Sequence, residues 1–117
     1  MKTYIIVIVA LVFGITLPAK ADFENLRTKI NNVITSDSNA GGCYVYMAAS
    51  HSLAGCNARY ATFDCLGTSG QLTKATANTN WQAAQLAFVA DKDILIYLDN
   101  TVVLNGMCLA RATSVIK

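Results

Sequence analysis

Three of the four cysteines in this chain lie within residues 42–65, GCYVYMAASHSLAGCNARYATFDC, and the fourth is Cys108. The one histidine, His51, sits between the first two cysteines. These sulfurs could bind a metal, do chemistry or pair with one another. Which of the three holds decides what so short a chain can fold into.

The compartment bears on that choice first. Residues 4–17 (YIIVIVALVFGITL) form an apolar run behind Lys2, Pro18 breaks it, and Ala19-Lys20-Ala21 supplies the small-x-small pattern that signal peptidase cuts after. The pattern predicts a secretory signal peptide over residues 1–21, too short to span a membrane. An N-terminal anchor helix is the alternative, and the cleavage pattern close behind the run weighs against it. The mature chain is then residues 22–117, one domain, secreted or periplasmic. A domain of that size buries a modest core and commonly adds disulfides in an oxidising compartment.

Zinc would need Cys43, His51, Cys56 and Cys65, spaced by eight, five and nine residues. Structural zinc sites use closely spaced cysteine knuckles, and none occurs here, so no metal is expected. A cysteine nucleophile with His51 as base is disfavoured by four cysteines in an exported chain. His51, flanked by Ser50 and Ser52, reads as a solvated loop residue. Pairing remains.

The segments between the cysteines suggest how they pair. Residues 43–47 (CYVYM) and 59–65 (RYATFDC) are aromatic and β-branched, and read as strands joined by the small-residue loop 48–58. A loop centred on Ala54 sets Met47 opposite Ala61, Val45 opposite Phe63 and Cys43 opposite Cys65. That register predicts a cross-strand disulfide Cys43–Cys65 and leaves Cys56 with Cys108. It also puts Tyr44, Tyr46, Tyr60, Thr62 and Asp64 together on the face opposite the apolar one.

The rest of the chain adds one helix and two more strands. Residues 22–35 (DFENLRTKINNVIT) carry apolar residues at spacings of three and four, yet end β-branched, so helix and strand both fit. Residues 36–42 (SDSNAGG) form a turn cluster. Residues 66–78 read as a loop, with Thr79 or Asn80 capping a helix over 81–90 (WQAAQLAFVA). That helix is apolar nearly all round, which points to burial against a neighbouring copy, with Trp81, Ala84, Leu86 and Phe88 lining the contact. Residues 93–99 (DILIYLD) and 107–116 (MCLARATSVI) read as strands, and Asn105-Gly106 as a turn. The order is β-β-β-α-β-β, a mainly β, α+β design with a single helix.

Removing Lys2 and Lys20 with the signal takes Lys+Arg from nine to seven, equal to the seven Asp+Glu. The mature chain is formally neutral, with no basic stripe for nucleic acid and no charge attraction to membrane surfaces.

Three stretches in this order, CNARYATFD (56–64), AAQLAFVADKDILIY (83–97) and NGMCLARATSV (105–115), resemble the B subunits of AB5 toxins. The resemblance is closer to the small exported bacterial proteins that share their fold. It implies a five-stranded OB barrel with one helix, a non-enzymatic homo-oligomer, often a pentamer, and recognition of a host cell-surface glycan. In the toxins it also implies an enzymatic A subunit as partner. No cofactor follows from it. The tyrosine face suits a sugar, because aromatic rings stack on C–H faces beside short polar groups; the plainer role of such tyrosines is to cover a sheet face or a subunit contact. An exported protein that docks another protein without sugar is the competing reading. No GxSxG or HExxH pattern points to an enzyme, and Asp91-Lys92-Asp93 reads as a solvated helix end.

Overall fold

A computed structural model describes residues 22–117; the expected signal peptide lies outside the described residues. The ambiguous first segment is extended throughout. Strand β1 (Phe23–Thr28) and strand β2 (Ile30–Thr35) are separated by Lys29 alone. Leu26, Thr28 and Ile30 alternate inward with period two, so the strand reading wins over the helical one. The decision is tertiary, because β1 finds one partner strand and β2 another.

A 3-10 turn (Ser38–Ala40) then leads into strand β3 (Cys43–Met47) and strand β4 (Tyr60–Thr62). Helix α1 (Lys74–Ala90) follows, then strand β5 (Ile94–Leu104) and strand β6 (Met107–Val115). The six strands form one mixed sheet in the order β1-β5-β6-β4-β3-β2, antiparallel except for the parallel pair β4 and β6. The two strands at the ends of that order are thus consecutive in the chain. Six strands stand where five were expected, the extra one arising because the first segment changes partner strand at Lys29.

That junction is held from outside and inside. Lys29 Nζ reaches the Asp91 carbonyl at 2.8 Å and lies 3.6 Å from Asp93, while Arg27 Nε donates to Asp93 at 2.8 Å. The Arg27 hydrogen bond holds the Asp93 carboxyl below its ordinary range. On the inner side, Thr28 Oγ1 accepts from the Ala49 amide at 2.9 Å.

Cys43 is bonded to Cys65 and Cys56 to Cys108, and no cysteine among the described residues is free. The hairpin register differs from the expected one by two residues: Tyr44 opposes Thr62, Val45 opposes Ala61 and Tyr46 opposes Tyr60. An even slip keeps every side chain on its face, so the pairing survives the shift. Cys65 is reached past the end of β4, where the backbone turns sharply at Asp64 with φ +54°.

The helix begins a full two turns earlier than expected. Thr73, not Thr79 or Asn80, is the N-cap, its hydroxyl accepting from the Thr76 amide at 3.1 Å. Ala77, Asn80, Trp81, Ala84 and Ala87 face inward. The alanines allow close approach to the sheet, and Trp81 tilts against Phe63 with ring centroids 5.5 Å apart. Asn80 is the one polar residue in that stripe. Its Nδ2 donates to the Arg111 carbonyl at 3.0 Å and its Oδ1 accepts from Thr113 at 3.3 Å, so its burial is compensated. The core is Val45, Met47, Phe63, Ile94, Ile96, Leu98, both disulfides and this helix face.

Trp81 and Ala84 are therefore turned toward the chain's own sheet and cannot line a contact between copies. Leu86 is 60% exposed and Phe88 40% exposed, with Val89 beside them more open still. Among the described residues no helix is long and apolar enough to cross a membrane.

Candidate functional site

The tyrosines at alternate positions of β3 and on β4 meet as a cluster. Tyr60 lies 5.0 Å from Tyr46 and 6.1 Å from Tyr44, centroid to centroid, both tilted. Cross-strand pairing explains this directly: Tyr46 opposes Tyr60, and Tyr44 is its diagonal neighbour. The Arg59 guanidinium sits 4.5 Å above the Tyr46 ring, and its Nε and Nη2 donate to the carbonyls of Met47 and Ala48. All three tyrosines are half-buried.

Thr62 and Asp64, expected on the same face, are instead fully buried and do not join the tyrosines at the surface. Thr62 Oγ1 donates to the Ala40 carbonyl at 2.6 Å. The Asp64 carboxylate accepts from the amides of Thr68 and Ser69 at 2.8 and 2.9 Å, and from the Ser69 hydroxyl. The 3-10 turn and the loop after β4 fold over this end of the hairpin and cover it. Gly41 permits that cover: at φ +82° an added Cβ would stand 2.8 Å from both the Asp64 Cα and Thr62 Oγ1. These two residues hold the loop and present nothing to a ligand.

A cleft of about 230 Å³ opens at the other end of the cluster, lined by Tyr44, Tyr60, Asn57, Asn105 and Met107. Two of its walls come from the loop after β3 and the turn between β5 and β6. The turn is a two-residue hairpin, Leu104 opposing Met107, with Asn105 and Gly106 at φ +50° and +78°. Such values mark a type I′ turn, which Asn-Gly favours. The expected turn residues are right, although β5 extends to Leu104 through an irregularity between Asp99 and Val103.

The second disulfide builds this cleft. Cys56 precedes Asn57 and Cys108 follows Met107, so their bond draws the two walls together. The Asn57 amide donates to the Gly106 carbonyl at 2.7 Å and closes the junction. His51 supports it from beneath. It is buried, not solvated, with Nε2 at 2.8 Å from the Asn57 carbonyl and Nδ1 accepting from the Leu53 amide at 3.1 Å. Those partners place the ring proton on Nε2. His51, Cys56 and Cys108 lie within 4.8 Å of one another, but the sulfurs are bonded and both ring nitrogens are used. The cluster is a support and offers no thiolate to a metal.

The cleft's polar groups are available. Asn57 Oδ1 accepts from the Arg59 amide at 3.0 Å. Its Nδ2, the whole Asn105 amide and the hydroxyls of Tyr44 and Tyr60 make no hydrogen bond among the described residues. Asn57, Asn105 and Met107 were missed as site residues in the sequence. The signals that could have found them were the Cys56–Cys108 pairing and the Asn105-Gly106 turn taken together. No protein-family model, curated protein or solved structure matches this chain.

Proposed function

We propose that this chain is a secreted, non-enzymatic oligomeric binding protein, similar to a toxin B subunit, that recognises a cell-surface glycan. The fold element of the proposal is an OB-type barrel. Counting β1 and β2 as one strand interrupted at Lys29 leaves five strands, and that strand pairs with β5 along its first half and β3 along its second. A five-stranded, partly open barrel with one helix is the OB design. Two disulfides suit the oxidising compartment that the signal peptide implies.

The observation that carries the reading is the cleft, where two tyrosine rings stand beside two asparagine amides with free donors. A few convergent polar groups beside aromatic surface is the general form of a small-ligand site. A glycan array probed with residues 22–117 is expected to show binding that Tyr60→Ala abolishes. Native mass spectrometry is expected to give a closed oligomer, a pentamer on the resemblance. A strict monomer silent on the array at high concentration would sink the proposal.

One observation favours docking of another protein instead. Leu86 and Val89 stand on the outer side of α1, 60% and 81% exposed, and such apolar surface is characteristic of contacts between proteins. A well-formed oligomer with no array signal decides for that reading.

A further inference from the structure

We infer that the cleft takes a single uncharged sugar ring and rejects acidic sugars, an inference that rests on the glycan reading above. Size sets the first limit. About 230 Å³ falls below the ~300–1,000 Å³ of sites for drug-sized ligands, so the cleft holds one ring and leaves the rest of a glycan outside.

Charge sets the second. The five lining residues include no aspartate, glutamate, lysine, arginine or histidine. Arg59, next to Tyr60 in the chain, is held away by its two backbone carbonyls and by the face of Tyr46. A carboxylate or sulfate entering the cleft would lose water and gain no cation, which is unfavourable.

A neutral pyranose meets complementary groups instead. Its hydroxyls both donate and accept, as the Asn105 amide does, and Asn57 Nδ2 and the tyrosine hydroxyls add further partners. Its C–H face can lie on Tyr60 or Tyr44, and Met107 offers an adaptable apolar wall. The open, water-exposed donors imply weak binding, on the order of 1 mM for a lone ring, which a multivalent assembly would strengthen.

The test is an amide-resolved NMR titration of the full mature chain with three probes: methyl galactoside, methyl N-acetylglucosaminide and the methyl glycoside of N-acetylneuraminic acid. At least one neutral probe is expected to shift the side-chain amide signals of Asn57 and Asn105, and the acidic probe to leave them unmoved. Tyr60→Ala should weaken the neutral probe by about tenfold, and Tyr60→Phe should retain it. Should Tyr60→Ala unfold, Tyr44→Ala serves the same purpose from the other wall. Binding of only the acidic probe at these amides overturns the inference while leaving the glycan reading intact. Neutral binding that shifts signals elsewhere overturns it equally. Silence from all three probes overturns both.

Discussion

Asp99 has no exposed side-chain surface, yet it carries a charge on β5 within the sheet. Burial alone would raise its pKa; hydrogen bonds from the Thr101 hydroxyl, from Arg111 and from the Thr101 amide outweigh that and hold it below its ordinary value. A carboxyl depressed in the folded state stabilises the fold above its unfolded pKa, near ~4. That contribution is lost as pH falls through the lower folded value. Urea unfolding of the wild type should therefore weaken on the acid side of about pH 4. Asp99→Asn should flatten that dependence and cost about 1–3 kcal/mol at neutral pH, by leaving Arg111 without its charged partner. Gly41 tests the cover over the hairpin. Gly41→Ala places a Cβ against backbone at positive φ, and a loss of about 1–3 kcal/mol or more is expected in the same assay.

At the scale of elements, the end of α1 offers a clean comparison. Asp91 closes the helix in the left-handed region at φ +53°, where glycine is the preferred residue. It also puts a negative charge at the negative end of the helix dipole. Against this stands its exposed contact with Lys29 at 3.3 Å, worth little in water. Asp91→Gly is accordingly expected to stabilise by about 0.5–1 kcal/mol, raising Tm by a few degrees in calorimetry; a drop would mean that the Lys29 contact matters more. The strands at 43–47 and 94–98 were readable from their aromatic, β-branched and apolar composition, and both alternate inward and outward in the fold. The helix start was not. Residues 74–80 (KATANTN) have weak helix formers among them, and what holds them helical is Asn80 bonding to the β6 backbone and Ala77 packing inward.

For the whole molecule, the two disulfides close loops of different reach, separated by 22 and 52 residues. In the chain-entropy model they contribute about 3 and 4 kcal/mol. Removing the longer one with Cys56→Ser and Cys108→Ser should cost more than removing Cys43 and Cys65. It should also loosen the cleft, because Asn57 and Met107 lose their link. Denaturant midpoints and sugar titrations of the two double variants check the order. Equal effects on binding would separate the cleft from the bridge.

The amino-acid sequence by itself determined that this chain is mainly β with one helix and that its sulfurs pair as Cys43–Cys65 and Cys56–Cys108. The strands, helix and turns are local, written within a few residues of one another, whereas the pairing followed from the spacing of one hairpin, which left Cys56 and Cys108 for each other. Only the tertiary structure decided that residues 23–35 form two strands, because β5 and β3 supply the partners. It also decided that Thr62 and Asp64 turn inward, that Trp81 faces its own sheet, and that His51 lies buried under the Asn57 loop. Each of these depends on which distant segment covers the residue. The cleft is of the same kind, since Tyr60 and Asn105 become neighbours only when the Cys56–Cys108 bond and the Asn57–Gly106 hydrogen bond bring their segments together.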